Sequence, residues 1–438
     1  MSAGYLKNFS YLFMPFTLEQ PEQFPAFFQR LTEENGWHAS KLENRYLHQY
    51  VLEKLSWNAE SSSPHFVLDE KFAAEKNLQL GADYTLKGRK YKDLELNFQV
   101  AGVELFTFPT SICVLTFELR FPEEYEPKQI AAAQYYLRKI SAERICLLQD
   151  GEDARGVCFA DMAKGLMEAA GGNMALDFFF YAPPKNEKAN FLTYVDVPKK
   201  ESYQEDLFYL KWCYSEGFDY DEFCSDDSEN YQASKTVFWG ITVSAAACLV
   251  HRSESQKAFI EGTFQKNFRK YYLSTYILLL HQKYTMYRFL TKMSVGLDGN
   301  LVQLESYKSQ LFEFETRYMF GYITEVPQYQ RFYQRVRKMF ALDKLFADVQ
   351  EPLLQLAEIK KQKAEDEQRA YDYRINTALT TLSLLTIVSA LTDASGITAN
   401  LTWLIPEAVS KIIQLVVLIG VAAVSIYMLI RLLFLKRH

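Results

Sequence analysis

The sequence predicts an α+β domain followed by long stalk helices and two C-terminal transmembrane helices. Three observations predict it. Strand-like and helix-like segments alternate up to about residue 255. From Gln256 onward Gly and Pro become scarce and the apolar period turns helical. Two charge-free runs, Ile375–Thr392 and Ile412–Ile430, lie near the end of the chain.

Composition agrees with that division. The 438 residues are 49% hydrophobic, yet the mean hydropathy is only -0.18. This is too polar for a transporter of many spans and fits a large polar domain with a small membrane part. The net charge of -6 argues against nucleic acid as a partner. Cysteines 113, 146, 158, 213, 224 and 248 form no CxxC pair and the histidines no HxxxH pair. A tetrahedral zinc site is therefore not expected, and the thiols read as reduced.

Taken in order, Ser10–Leu18 reads as a first strand and a helix starts near Pro21. Leu94–Val100, Cys113–Phe121, Ala175–Tyr181 and Val237–Val243 are rich in Phe, Val, Ile and Tyr and read as strands. Pro127–Ile140 is the clearest helix, and residues 58–64 and 183–190 are loops. The apolar run Val237–Val250 is too short to span a bilayer, which takes about 20 residues, and reads as a buried strand leading into a turn. Helices follow over Phe268–Met293 and Leu301–Tyr318 and from near Gln330, and a last one starts near Leu342 with Pro352 as its only breaker. Forty uninterrupted helical residues extend about 60 Å, the length of a stalk. The expected organisation is a cytoplasmic α/β domain at 1–255, a long-helix stalk region at 256–374, a first transmembrane helix at 375–392, an external loop at 393–411, a second transmembrane helix at 412–430 and a basic tail at 431–438.

The basic residues give an orientation. Lys360, Lys361, Lys363, Arg369 and Arg374 precede the first run, and Arg431, Lys436 and Arg437 follow the second. The positive-inside rule then puts both termini in the cytoplasm and the chain in the cell inner or plasma membrane. In the first run Asn376, Thr380, Ser383, Ile387 and Ala390 share one helical face. That face is either a close-packing surface or the lining of a polar pore, and both need a homo-oligomer. An Asn at the membrane entrance favours the pore.

This order of segments resembles CorA-type divalent cation channels and their ZntB-like relatives. Over residues 340–438 the likeness is carried by Asn376 in YRINTALTTL, by Ala390-Leu391-Thr392 in the place of Pro-Leu-Thr, and by Gly396-Ile397. Thr398, Ala399, Asn400 and Leu401 stand where the family has Tyr-Gly-Met-Asn, so the Gly-Met-Asn signature is absent. The resemblance implies a homopentamer in membrane lipid, divalent cations as cargo with Mg2+ as transported or regulatory ion, and an external-loop selectivity site at Asp393, Gly396, Ile397, Ala399 and Asn400.

The stretch Glu216–Glu229 is acidic. Asp219, Asp221, Glu222, Asp226 and Asp227 are its candidate metal ligands, against the alternatives of a solvated loop or a partner for the basic helix carrying Lys266, Arg269, Lys270, Lys283, Arg288 and Lys292. No P-loop, nucleophile elbow or GxGxxG is present, so no enzyme is expected. Two functions follow: a CorA-like channel for divalent metal cations with a cytoplasmic regulatory domain, or a membrane-anchored effector of a prokaryotic defence or signalling system, gated by a ligand such as a nucleotide.

Overall fold

The computed structural model describes the chain apart from residues 1–4, 19–22, 34–35, 41–44, 56–64, 88–95, 151–154, 172–175, 179–187, 215–216, 222–227, 297–300, 401–405, 407, 414, 417–418, 421–422, 425–426 and 428–438. In chain order the elements are β1 (Asn8–Leu18), α1 (Phe24–Glu33), β2 (Trp37–Ser40), α2 (Gln49–Leu55), β3 (His65–Leu68), α3 (Glu70–Glu75), β4 (Asp83–Leu86), β5 (Asn97–Thr107), β6 (Ile112–Arg120), α4 (Pro127–Leu137), β7 (Ile145–Leu147), α5 (Phe159–Gly171), β8 (Leu176–Phe178), β9 (Asn190–Asp196), α6 (Gln204–Trp212), β10 (Asn230–Ser234), β11 (Val237–Ile241) and β12 (Ala245–Val250). A helical segment then runs through α7 (Lys257–Phe259), a π turn at Ile260–Phe264, α8 (Gln265–Asn267), a second π turn at Phe268–Tyr272 and α9 (Leu273–Gly296). It is followed by α10 (Leu301–Tyr318), α11 (Pro327–Met339) and α12 (Leu342–Asn400).

The strands form one sheet in the order β10-β11-β12-β9-β1-β6-β5-β3-β2, with β4, β7 and β8 attached beside that path. β1 sits at its centre and is buried along its whole length, which is why it reads NFSYLFMPFTL without alternation. Its two sets of side chains serve two layers. Leu12, Met14 and Phe16 join one large core with Phe27 and Leu31 of α1, Ile130 and Ala133 of α4, Leu166 and Met167 of α5, and Leu207 and Leu210 of α6. Phe9 and Phe13 face the opposite way. Phe9 meets Phe268 at 5.5 Å between ring centroids and Phe13 meets Tyr276 at 5.2 Å. Trp239 of β11 extends this aromatic layer to Phe332 of α11 at 4.6 Å.

β9 and β12 are paired in parallel, and the other strand pairs named among the described residues are antiparallel. The two halves of β12 face differently as well. Ala245, Ala247 and Leu249 belong to the core under α4 and α6, while Cys248 pairs with Trp239 on the α9 and α11 side. β9 therefore leads into α6 on one face of the sheet and β12 into the α7–α9 segment on the other.

No helix among the described residues is long and apolar enough to cross a membrane. The transmembrane helix expected at 375–392 is overturned by this finding, and a second transmembrane helix at 412–430 is not supported by it. The membrane and channel descriptions that rest on those helices are corrected with them, and the finding weighs against an integral place in the inner or plasma membrane. The physical reason lies in what a charge-free run still contains. Ile375–Thr392 is an internal part of the 59-residue α12, and Asn376 and a series of hydroxyls dilute its apolar character. Thr377, Thr380, Thr381, Ser383, Thr386 and Thr392 each donate to the carbonyl four residues earlier, at 2.7–2.9 Å. The run 412–430 lies partly outside the described residues.

Leu391–Asn400, expected as the end of a span and the start of a loop, is the last part of α12. One glycine in ten residues costs a helix only about 1 kcal/mol, so Gly396 alone does not end it. The chain divides into two compact units, Met1–Leu354 and Gln355–His438, and the division falls inside α12.

Candidate functional site

The parallel pair β9 and β12 ends at Asp196 and Val250, which are register partners. Their connections leave for opposite faces of the sheet, and this is where a parallel pair opens a crevice outside the carboxyl ends of its strands. A cavity of about 710 Å³ occupies that place. Three segments far apart in sequence line it: residues 199–204 with Leu207, the β10–β11 hairpin, and residues 251–256.

Each segment is fixed locally. Tyr203 precedes α6, and its ring lies 4.4 Å from that of Phe238 on β11. Its hydroxyl accepts the backbone N–H of Lys200 at 3.1 Å. Lys200 reaches Asp206 at 2.7 Å. Burial raises the Asp206 carboxyl above its ordinary range, and the Lys200 bond opposes that rise. Ser202 accepts the N–H of Gln204 at 3.3 Å in the first turn of α6. On the far side the backbone N–H of His251 donates to Thr236 at 2.9 Å, and Thr236 is bonded to Gln256. Ser253 and Ser255 share a hydrogen bond at 3.2 Å.

Beneath the crevice, α6 is tied to the hairpin through charge. The buried ammonium of Lys211 contacts Glu229 at 2.7 Å and Asn230 at 3.0 Å. Gly240 permits this approach, because a Cβ there would lie 3.2 Å from the Lys211 chain and 3.3 Å from Leu207. Lys200 is paired with Asp206, which leaves Lys199 and Lys235 against Glu201 on the lining, so the cavity favours an anion. Ser202 and the Ser253–Ser255 pair add hydroxyls to the lining, the Thr236 O–H is given to Gln256, and the Tyr203–Phe238 pair supplies a flat apolar wall.

The residues expected to form a site from the sequence fall elsewhere. Of the expected pore face, Asn376, Ser383 and Ala390 are exposed on α12, and Thr380 and Ile387 are half-buried. Of the expected selectivity loop, Asp393, Gly396, Ile397, Ala399 and Asn400 lie in the helix. The basic tail, Arg431, Lys436 and Arg437, lies outside the described residues.

Among the expected metal ligands, Glu222, Asp226 and Asp227 lie outside them too, and Asp219 and Asp221 are exposed. No group of three metal-binding side chains occurs among the described residues. The aromatics of the acidic stretch hold it to α6 and the residues just after it: Tyr220 donates to Gln204 of α6 at 3.1 Å, and Phe218 stacks on Tyr214 at 4.2 Å. Its last acid, Glu229, serves Lys211. In the basic helix Arg269 pairs with Glu118 at 2.7 Å, and Lys283 donates to the Val243 carbonyl at 3.3 Å.

The crevice escaped sequence reasoning because its charges are spread over segments that only the pairing of β9 with β12 brings together. The usable signal was Lys199-Lys200 directly before the first turn of a helix. No family model matches the chain, and no curated protein or solved structure matches it.

Proposed function

We propose that this chain is a ligand-responsive binding protein whose α/β domain takes a phosphorylated small molecule of nucleotide class in the crevice between β9 and β12. The observation that carries the reading is the placement of a lysine- and hydroxyl-lined cavity at the point where two parallel strands send their connections to opposite faces. The lysines suit phosphate oxygens and the Tyr203–Phe238 wall suits a base or another flat ring. The cavity size fits a whole nucleotide, since small-molecule sites run about 300–1,000 Å³. Binding rather than catalysis is favoured because the hydroxyls nearest the strand ends are committed to one another and to Gln256.

Titration calorimetry with adenosine triphosphate as probe, and adenosine and inorganic triphosphate as controls, tests the reading. The triphosphate nucleotide is expected to bind more tightly than either control. Lys199→Glu combined with Lys235→Glu is expected to weaken it more than tenfold, which corresponds to about 1.4 kcal/mol or more. Phe238→Ala is expected to weaken the nucleotide about tenfold and leave inorganic triphosphate unchanged, since base stacking is worth about 1–3 kcal/mol. Absence of binding, or equal binding in the double charge reversal, overturns the proposal.

A further inference from the structure

A second cavity, of about 340 Å³, lies between the β5–β6 turn, α9 and α10 and shares no lining residue with the crevice. Its charged lining is Arg288 and Lys292 from α9 and Arg317 and Glu313 from α10. Three cations and one carboxylate line it, so the lining is net positive; Arg317 and Glu313 pair at 2.9 Å, and Lys292 lies 5.6 Å from the Tyr307 ring centroid. The polar floor is preformed. Thr110 is bonded to Nε2 of the buried His281 at 2.9 Å, and its carbonyl accepts from Arg288. The His281 ring is itself locked, stacked on Phe108 at 3.9 Å and set edge-on to Tyr318 at 4.8 Å. Phe289, Phe314 and Tyr318 give the same cavity apolar walls.

α10 has a second duty. Gln310, Glu313, Phe314 and Arg317 face the cavity, and the stripe around the helix from them, Glu305, Lys308, Phe312 and Glu315, lines a groove with Gln350, Leu353 and Leu354 of α12. Leu311 and Leu353 are buried there, whereas Phe312 and Leu354 keep large exposed surfaces. One helix therefore joins a cationic cavity to the first turns of α12.

We propose that this cavity binds a small ring-bearing oxyanion, a phosphate monoester in class, and that binding draws α10 toward α9 and alters its seating on α12. The ammonium and guanidinium groups take the oxyanion, with Arg offering paired donors. The aromatic walls take the ring. Because α10 carries both stripes on one rigid rod, a shift that closes the cavity must also change the groove.

Phenyl phosphate is the probe, with inorganic phosphate and phenol as its two halves. Calorimetry on the full chain is expected to show phenyl phosphate binding at least tenfold more tightly than inorganic phosphate, and phenol not at all. Arg317→Glu and Lys292→Glu are each expected to weaken it more than tenfold while thermal unfolding stays in place, because Arg317 is exposed and Lys292 half-buried at the cavity edge. Lys199→Glu with Lys235→Glu, the crevice variant, is expected to leave phenyl phosphate binding intact, which separates the two sites. Hydrogen exchange with probe bound is expected to slow at residues 305–317 and to change at 342–354. No phenyl phosphate binding, or binding unaffected by both charge reversals, overturns the site. Binding lost in the crevice variant overturns its independence, and binding without any exchange change at 342–354 overturns the coupling.

Discussion

Lys283 is a cation placed where water does not reach. Its amine donates to the Val243 carbonyl at 3.3 Å and sits 4.5 Å from the Phe340 ring centroid. Burial pulls its pKa from 10.5 down to about 8. Between those values the unfolded chain keeps a proton that the folded chain has lost, so stability rises with pH across that window, by up to about 1.4 kcal/mol per unit. Below pH 8 both forms are protonated and the full cost of the buried charge is felt. Lys283→Met is expected to flatten stability between about pH 8 and 10.5 and to gain most relative to the native chain at pH 7. Denaturant midpoints at pH 7 and pH 10 check this, and an equal shift at both would show that the ammonium carries no such cost. His281 on the same helix acts in the same direction, in an acid window. Burial lowers its pKa from 6.5 to about 3. The unfolded chain therefore takes a proton that the folded chain refuses, and stability falls as pH drops from about 6.5 toward 3. His281→Gln is expected to remove that slope in an acid titration followed by near-ultraviolet circular dichroism.

At the scale of elements, α6 and β11 make a close contact at Gly240. Any side chain at Gly240 enters the space of Lys211, Asn230 and Leu207, which lie 3.2–3.3 Å from a Cβ. Gly240→Val is expected to cost about 1–3 kcal/mol, as overpacking does, and to distort the hairpin that lines the crevice. Unfolding midpoint and nucleotide affinity should fall together, whereas Gly262→Val, at a site with no heavy atom near its Cβ position, should leave affinity unchanged. Local elements were the legible part of this fold. The expected helix at Leu301–Tyr318 is α10 with the same bounds, and the last helix does begin at Leu342, because their apolar stripes recur at helical spacing. Val237–Val250 resolves into two strands, β11 and β12, rather than one strand and a turn. Its second half, AAACLV, has little intrinsic strand preference and is held by neighbours on both sides. Strand order was not legible, and without the parallel pairing of β9 and β12 nothing in residues 199–204, 230–238 and 251–256 marks them as one site. The likeness of Leu391–Asn400 to a channel mouth misled for a related reason. Short matched residues carry no turn by themselves, and only one glycine there opposes a helix.

The whole molecule places its packed interior in the first of its two units. Buried apolar side chains on α12 are Leu342, Val349, Leu353 and Ala357, and beyond Ala357 its large apolar side chains, such as Leu379, Leu382, Leu385 and Val388, are exposed at 56–61%. Leu342, Val349 and Leu353 lie in the first unit, and the division between the units falls just after them, inside α12. A fragment of residues 1–362 keeps all four buried positions and is expected to unfold in one cooperative transition, with a midpoint within a few degrees of the full chain and with the same nucleotide affinity. A fragment of residues 1–341 removes Leu342, Val349 and Leu353 together. Each buried leucine or valine contributes about 1.5–3 kcal/mol, so the loss approaches the whole stability of a domain, about 5–15 kcal/mol. That fragment is expected to be largely unfolded at 37 °C by circular dichroism. If residues 1–341 instead fold as well as residues 1–362, the start of α12 is not part of the core. A ligand felt by α10 would then have no packed path into the long helix, and the groove between them would be only a surface contact.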